Sequence, residues 1–193
     1  MISAEREGTM APTSRLVLRS DTDSVVLLQP IQADAPLIYS LVDSNREHLG
    51  HFTEVALHLS SLEVVQRVIA YDGNPNMHRF GIWDDETLVG MINLSVFGRD
   101  SILNWWVGKD HIGQKYSSRA GVLLLDFAFN QLGLQDVGCY INPKNEASRR
   151  SALRLGMVPA FVGENTMRYI ISNPNTPTRP VPNVATSEVG LTR

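Results

Sequence analysis

Val107-Gly108-Lys109-Asp110-His111-Ile112-Gly113-Gln114-Lys115-Tyr116-Ser117-Ser118-Arg119-Ala120 is the stretch on which the fold turns. It follows the apolar run Ile102-Leu103-Asn104-Trp105-Trp106-Val107 and leads into Gly121-Val122-Leu123-Leu124-Leu125-Asp126-Phe127-Ala128-Phe129. That order reads as a strand, a short polar loop and a buried helix beginning near Ser117. The first turn of a helix carries N–H donors without intrahelical partners, and the helix dipole adds partial positive charge there. Phosphate binds in such places. The stretch is a candidate pyrophosphate cradle.

Outward from it, the elements alternate. Upstream, Val25 to Gln29 reads as a strand, and Asp34-Ala35-Pro36 as a helix start with Asp34 as cap and Pro36 in the first turn. Asn45 to Phe52 reads as a short irregular or helical segment, and Ser60 or Ser61 caps a further helix with Leu62, Val65 and Ile69 inward. Strands are expected at His78 to Trp83 and Leu88 to Phe97 around Asp84-Asp85-Glu86, and again at Ile102 to Val107. Downstream, Gly133-Leu134 ends the central helix, and Asp136 to Ile141 is a strand. Asn145 caps a helix over Glu146 to Leu155 that Gly156 stops. Val158 to Val162 and Thr166 to Ile171 form a last pair of strands. The fold class is α/β (α+β mixed), with hairpins before the loop and one strand–helix–strand crossover around it. Residues 1–14 read as a disordered leader, 15–172 as one domain, and 173–193, rich in proline, as a disordered tail.

Composition narrows the function. A net charge of −3 gives no basic footprint for nucleic acid. The single cysteine, Cys139, excludes an intrachain disulfide and a cysteine metal cluster, and its strand-like setting suits a buried, inert thiol. No apolar run reaches the length of a membrane span, and the polar N-terminus lacks the apolar centre of a signal peptide, so the expected location is cytoplasmic. No metal site is expected: His48, His51 and His58 have no convincing ligand spacing. A nucleotide-binding Rossmann enzyme is disfavoured, because the loop lacks Gly-x-Gly-x-x-Gly and follows hairpins.

Four pieces, in their order and spacing, carry a family resemblance. They are Asn45-Arg46-Glu47-His48-Leu49, Leu88-Val89-Gly90, Trp106-Val107 before Gly113, and Asn142-Pro143-Lys144-Asn145-Glu146-Ala147-Ser148 followed by Leu155-Gly156-Met157. From about Leu16 to Ile171 the chain resembles the GNAT superfamily of acetyl-CoA-dependent N-acetyltransferases, in the branch of the ribosomal-protein N-terminal alanine and serine acetyltransferases. The resemblance implies a mixed, mostly antiparallel central sheet with a V-shaped splay, flanked by helices. It implies acetyl-CoA as co-substrate, no metal, and a peptide or small-molecule amine as acceptor. Monomer and homodimer are both left open.

The family's cofactor loop, Arg/Gln-x-x-Gly-x-Gly/Ala, falls on Ile112-Gly113-Gln114-Lys115-Tyr116-Ser117, with Ile112, Lys115 and Ser117 departing from it. If the Lys115 position needs positive φ, a non-glycine residue costs about 1 kcal/mol or more there. Added charge and hydroxyls from Lys115, Ser118 and Arg119 are a possible compensation. By resemblance, Trp106, Val107, Gly108, Ile112, Gly113, Gln114, Lys115, Tyr116, Ser117, Ser118, Asn142, Asn145 and Ser148 would bind the cofactor, with main-chain groups near Trp106 holding the pantetheine arm. An N–H of Val107 or Gly108 would take the developing oxyanion. The catalytic candidates are Ser148, as proton donor to the thiolate, with Asn142 and Glu47; the general base is left open, with Glu47, Glu54, His48, His51 and His58 on the segment that would wall the amine site and Glu164 near the last hairpin. Direct acetyl transfer to a primary amine in a ternary complex is the leading reading. A degenerate GNAT-like binding module with an impaired CoA loop is the alternative.

Overall fold

The computed structural model describes residues 2–7, 15–71, 74–98 and 100–176. Among them, nine strands form one sheet in the order β1-β2-β3-β4-β5-β6-β7-β9-β8. The strands are β1 (Ile2–Glu7), β2 (Arg15–Ser20), β3 (Val25–Leu28), β4 (Met77–Asp84), β5 (Thr87–Phe97), β6 (Asp100–Val107), β7 (Asp136–Ile141), β8 (Val158–Val162) and β9 (Met167–Ser172). All neighbours are antiparallel except β6 and β7, which run parallel. The helices are α1 (Ala35–Asp43), α2 (Arg46–Gly50), α3 (Val55–His58), α4 (Leu62–Ala70), α5 (Tyr116–Asp126) and α6 (Glu146–Arg154). A π-helical turn, Phe127–Gln131, extends α5 before Gly133 at φ +66° ends it.

The sheet separates two apolar layers. One face packs Phe80, Leu94 and Leu103 against Leu123, Leu124 and Phe127 of the α5 segment, all buried. The other packs Leu88, Met91 and Trp106 against Ala35, Ile38 and Val42 of α1 and Val65 of α4. Adjacent strand residues point to opposite faces, so Trp105 joins the first layer and Trp106 the second. Each fully buried aliphatic or aromatic side chain in these layers is worth about 1.5–3 kcal/mol.

Two strands had no sequence signal. Residues 2–7 fall in the expected leader, yet β1 pairs with β2 from Ile2↔Ser20 to Glu7↔Arg15. An edge strand pairs through its backbone and needs no apolar run of its own. Within β2 only Val17 and Leu18 are buried, between charged ends. Residues 8–14 and 177–193 of the expected leader and tail lie outside the described residues. The fold continues past residue 172, because buried Asn173 donates to the Leu134 carbonyl at 3.1 Å.

Capping follows the sequence in two places and departs from it in a third. Ser61 Oγ accepts from the Val64 amide at 3.4 Å, and Asn145 Oδ1 from the Ser148 amide at 3.1 Å. Asp34 does not cap α1. It closes a preceding 3-10 turn, accepting from the Ile31 amide at 2.9 Å and from Arg15 at 3.3 Å.

Candidate active site

Where β6 leaves β7 the sheet opens. The two strands share a single register pair, Ile102↔Gly138, so beyond it their ends diverge. A cavity of about 710 Å³ fills the divergence. Its walls are the ends of β6 and β7, the start of α5, one side of α6 and the α2–α3 segment.

The β6 backbone is oriented toward this gap. The Gly108 amide donates to the Val89 carbonyl at 2.9 Å, in line with the register pair Gly90↔Val107. An antiparallel ladder alternates bonded and non-bonded pairs, so Val107 and Trp105 turn their N–H and C=O groups away from β5 and toward the opening. The main chain of Trp106 faces β5 instead. Two expectations shift accordingly: the open backbone groups belong to Trp105 and Val107, and Gly108, buried and already bonded, is no oxyanion donor. Gly90 permits the close approach of β5 and β6. A Cβ added there would lie 2.3 Å from the Trp106 carbonyl oxygen.

The loop into α5 has the geometry of an anion cradle. Gly113 has φ +85° and Lys115 has φ +63°, ψ +16°, so Lys115 occupies the left-handed region that favours glycine. Among the described residues of this loop, the His111 amide donates to the Gly108 carbonyl, the Ile112 amide to the Lys109 carbonyl, and the amides of Ser118 and Arg119 both to the Lys115 carbonyl. Those of residues 113–117 are left for a ligand. The Lys115 stem does not close the opening, for Lys115, Ile112, Gly113, Tyr116 and Ser117 all line the cavity. Neither Lys115 nor Arg154, a second cation on the wall, has an ion pair among the described residues.

The remaining loop residues knit the cradle rather than face the cavity. Ser118 is buried, and its hydroxyl donates to the Lys115 carbonyl at 2.9 Å. Gln114 Oε1 accepts from the Tyr116 hydroxyl at 3.1 Å. That hydroxyl also donates to Asp84 Oδ2 at 2.6 Å. Arg119 is spent on Asp23 and Ser24 and lies over the Tyr116 ring at 5.2 Å. The Arg119 guanidinium holds the Asp23 carboxyl below its ordinary range. Hydrogen bonds from Ser24 and Tyr116 do the same for Asp84, and the Asp84 bond raises the Tyr116 phenol. Ser118 and Arg119 are therefore committed within the fold, and Lys115 is the loop cation without an ion pair among the described residues.

Across the opening, Asn142 Oδ1 accepts from the Lys144 amide at 2.9 Å, and Asn145 caps α6. Ser148 lines the cavity, and its hydroxyl has no hydrogen-bond partner among the described residues. Ser151 next to it is buried and bonds the Ala147 carbonyl at 3.1 Å. Cys139 also borders the cavity but is buried, and desolvation pushes its thiol up to about 12, as expected of an inert sulfur.

The α2–α3 wall carries the largest correction. Glu47 on α2 does not line the cavity; Glu54 does, at its open rim with the side chain 79% exposed. Glu164 is likewise outside it. Glu54 Oε2 stands 3.9 Å from His58 Nε2, and His48 and His111 complete the polar lining on this side. Residue type and segment pointed to both carboxylates; α3, which orients Glu54, left no periodic signal in four residues. The wall is held by Arg46, which donates to the Ala56 carbonyl at 2.6 Å and to Asp43 at 2.8 Å. Buried Asn45 joins wall to loop, accepting from the Lys109 amide at 2.7 Å. Among the described residues no group of His, Cys, Asp and Glu could hold a metal ion, and no helix is long and apolar enough to cross a membrane.

Comparison with known proteins agrees with this architecture. The Bacillus subtilis (strain 168) protein named "Putative ribosomal N-acetyltransferase YdaF" is 28% identical over 143 residues, covering 70% of this chain and 77% of the relative. Among solved structures, the microcin C7 self immunity acetyltransferase MccE, in complex with acetyl-CoA and AMP, superposes with a TM-score of 0.71 at 15% identity, covering 78% of this chain and 93% of that one. The ribosomal-protein-S5-alanine acetyltransferase of Vibrio fischeri gives 0.71 at 16% identity over 81% and 97%. Residues 25–158 match the family described as "Acetyltransferase (GNAT) domain". With its splayed sheet and amide-lined loop, the chain belongs to the GNAT family of N-acetyltransferases, which use acetyl-CoA as donor.

Proposed function

We propose that the protein acetylates the N-terminal amine of a peptide or protein by direct transfer from acetyl-CoA. The observation that carries this reading is the continuity of one cavity from the unpaired amides of residues 113–117, past Val107 and Ser148, to Glu54 on the α2–α3 wall. The names of the B. subtilis and V. fischeri relatives point to ribosomal-protein acceptors.

The amides of Gly113 to Ser117 and the Lys115 ammonium hold the diphosphate, with Arg154 available to a further phosphate. Main-chain groups of Trp105 and Val107 bond the pantetheine arm as an added strand would. The Val107 N–H polarises the acetyl carbonyl, and Asn142 and Asn145 border the arm on the β7 side. Glu54, assisted by His58, takes a proton from the incoming ammonium. The free amine attacks the acetyl carbon, so a C–N bond forms and the C–S bond breaks. The nitrogen releases its second proton, and the leaving thiolate takes one from Ser148 Oγ, which is restored from solvent. The net change is ammonium plus thioester to amide, thiol and one proton.

The left-handed Lys115 and the Ile112 departure from the family loop favour a degenerate binding module. A labelled acetyl-CoA assay over defined peptides and small amines, read by mass spectrometry, separates the two. Acetyl on a peptide α-amine is the expected result; acetyl-CoA binding with no acceptor modified would sustain the module.

A further inference from the structure

Beside the main cavity lies a second depression of about 600 Å³, and the two share Phe52, Thr53, Glu54 and Asn142. The amine that reaches Glu54 therefore has the rest of its molecule over this depression. Two large apolar side chains border it in the open, Leu57 at 77% exposure and Phe52 at 48%, with the Phe52 ring tilted against His51 at 6.3 Å. Large apolar side chains so placed, at the mouth of a polar site, mark contact surface. Arg46 borders the depression, but its guanidinium is committed to Asp43 and to the carbonyls of Ala56 and Ser60. Charge is sparse: Glu54 is the one carboxylate among the described residues lining either depression. One carboxylate matches one ammonium. A polyamine, with cations spaced along its length, would find no second carboxylate among the described lining residues.

We infer that the acceptor is a peptide N-terminus whose second residue is large and apolar, seated on the Phe52–Leu57 shelf while Glu54 receives the terminal ammonium. The Asn142 amide nitrogen, whose partner oxygen is already used by Lys144, donates to the peptide's first carbonyl. This rests on the acetyltransferase reading and adds the acceptor's chemistry to it. Phe52 and Leu57 act as specificity residues and touch no reacting atom.

The test is steady-state acetylation of hexapeptides that differ only at residue two (Leu, Phe, Gly, Glu), with spermidine alongside. The shelf predicts kcat/KM for Leu or Phe at least about tenfold above Gly, from the burial of one side chain, and spermidine below every peptide. Leu57→Ser, a change at an exposed position, is expected to shrink the Leu-to-Gly ratio below about threefold through KM. Its acetyl-CoA affinity and Tm should remain those of the parent. Equal rates across residue two, or a preference for spermidine, with acetyl transfer intact, would overturn the shelf alone. Failure of every amine to be acetylated would overturn the enzyme reading and the shelf together.

Discussion

Replacing Lys115 separates strain from charge. In the structure Lys115 sits at φ +63°, a conformation that costs a side-chain-bearing residue about 1–2 kcal/mol. Glycine removes that cost but loses about 0.5–1 kcal/mol of backbone entropy. Lys115→Gly should therefore gain about 0.5–1 kcal/mol, or about 1–4 °C in Tm for a chain of this size. Lys115 lines the cavity and has no ion pair among the described residues, so on the proposed reading its loss removes a charge-assisted bond to phosphate. About 1.4 kcal/mol for a partly exposed bond means about tenfold weaker acetyl-CoA binding. Stability and affinity should thus move in opposite directions. Lys115→Met, which keeps the strain and drops the charge, should weaken binding equally and leave Tm unchanged. Differential scanning calorimetry and isothermal titration read both quantities. Tighter binding by Lys115→Gly would refute this reasoning and mean that the lysine stem crowds the diphosphate.

Four other perturbations follow from the geometry. Ser148→Ala should lower kcat about a hundredfold, as expected for a lost proton donor, while the acetyl-CoA Kd stays within about twofold. Tyr116→Phe removes the bond to Asp84, worth about 1–2 kcal/mol after allowing for partial exposure of the carboxylate, and should lower Tm by about 2–8 °C and weaken acetyl-CoA. Asp23 and Asp84 both have depressed pKa values, so their stabilisation is complete above the unfolded carboxylate value of about 3.9 and is lost as pH falls through the folded values. Tm should fall below about pH 4, and Asp23→Asn should flatten that slope. Gly90→Ala places a methyl against the Trp106 carbonyl and should cost about 2 kcal/mol, with loss of acetyl-CoA binding as β6 shifts.

The elements that carried the sequence reading are those with strong local signals. The apolar run from Leu88 to Phe97, the Asn145 cap and Gly156 at φ +81° each fix their own neighbourhood, and the structure has them in place. What escaped depends on contacts remote in sequence. Arg119 looked like a phosphate ligand because its partner, Asp23, is 96 residues away. Glu47 and Glu54 are alike in segment and both exposed, and only the packing of α2 and α3 sets Glu54 on the cavity's rim and Glu47 away from it. The β6 amides that face the gap follow from register, which a lone strand sequence does not encode.

Isothermal titration of the full chain with acetyl-CoA tests the central claim most directly. Saturable one-to-one binding that weakens as salt screens the Lys115 and Arg154 charges is the predicted result. No heat and no change in Tm at millimolar acetyl-CoA would contradict it.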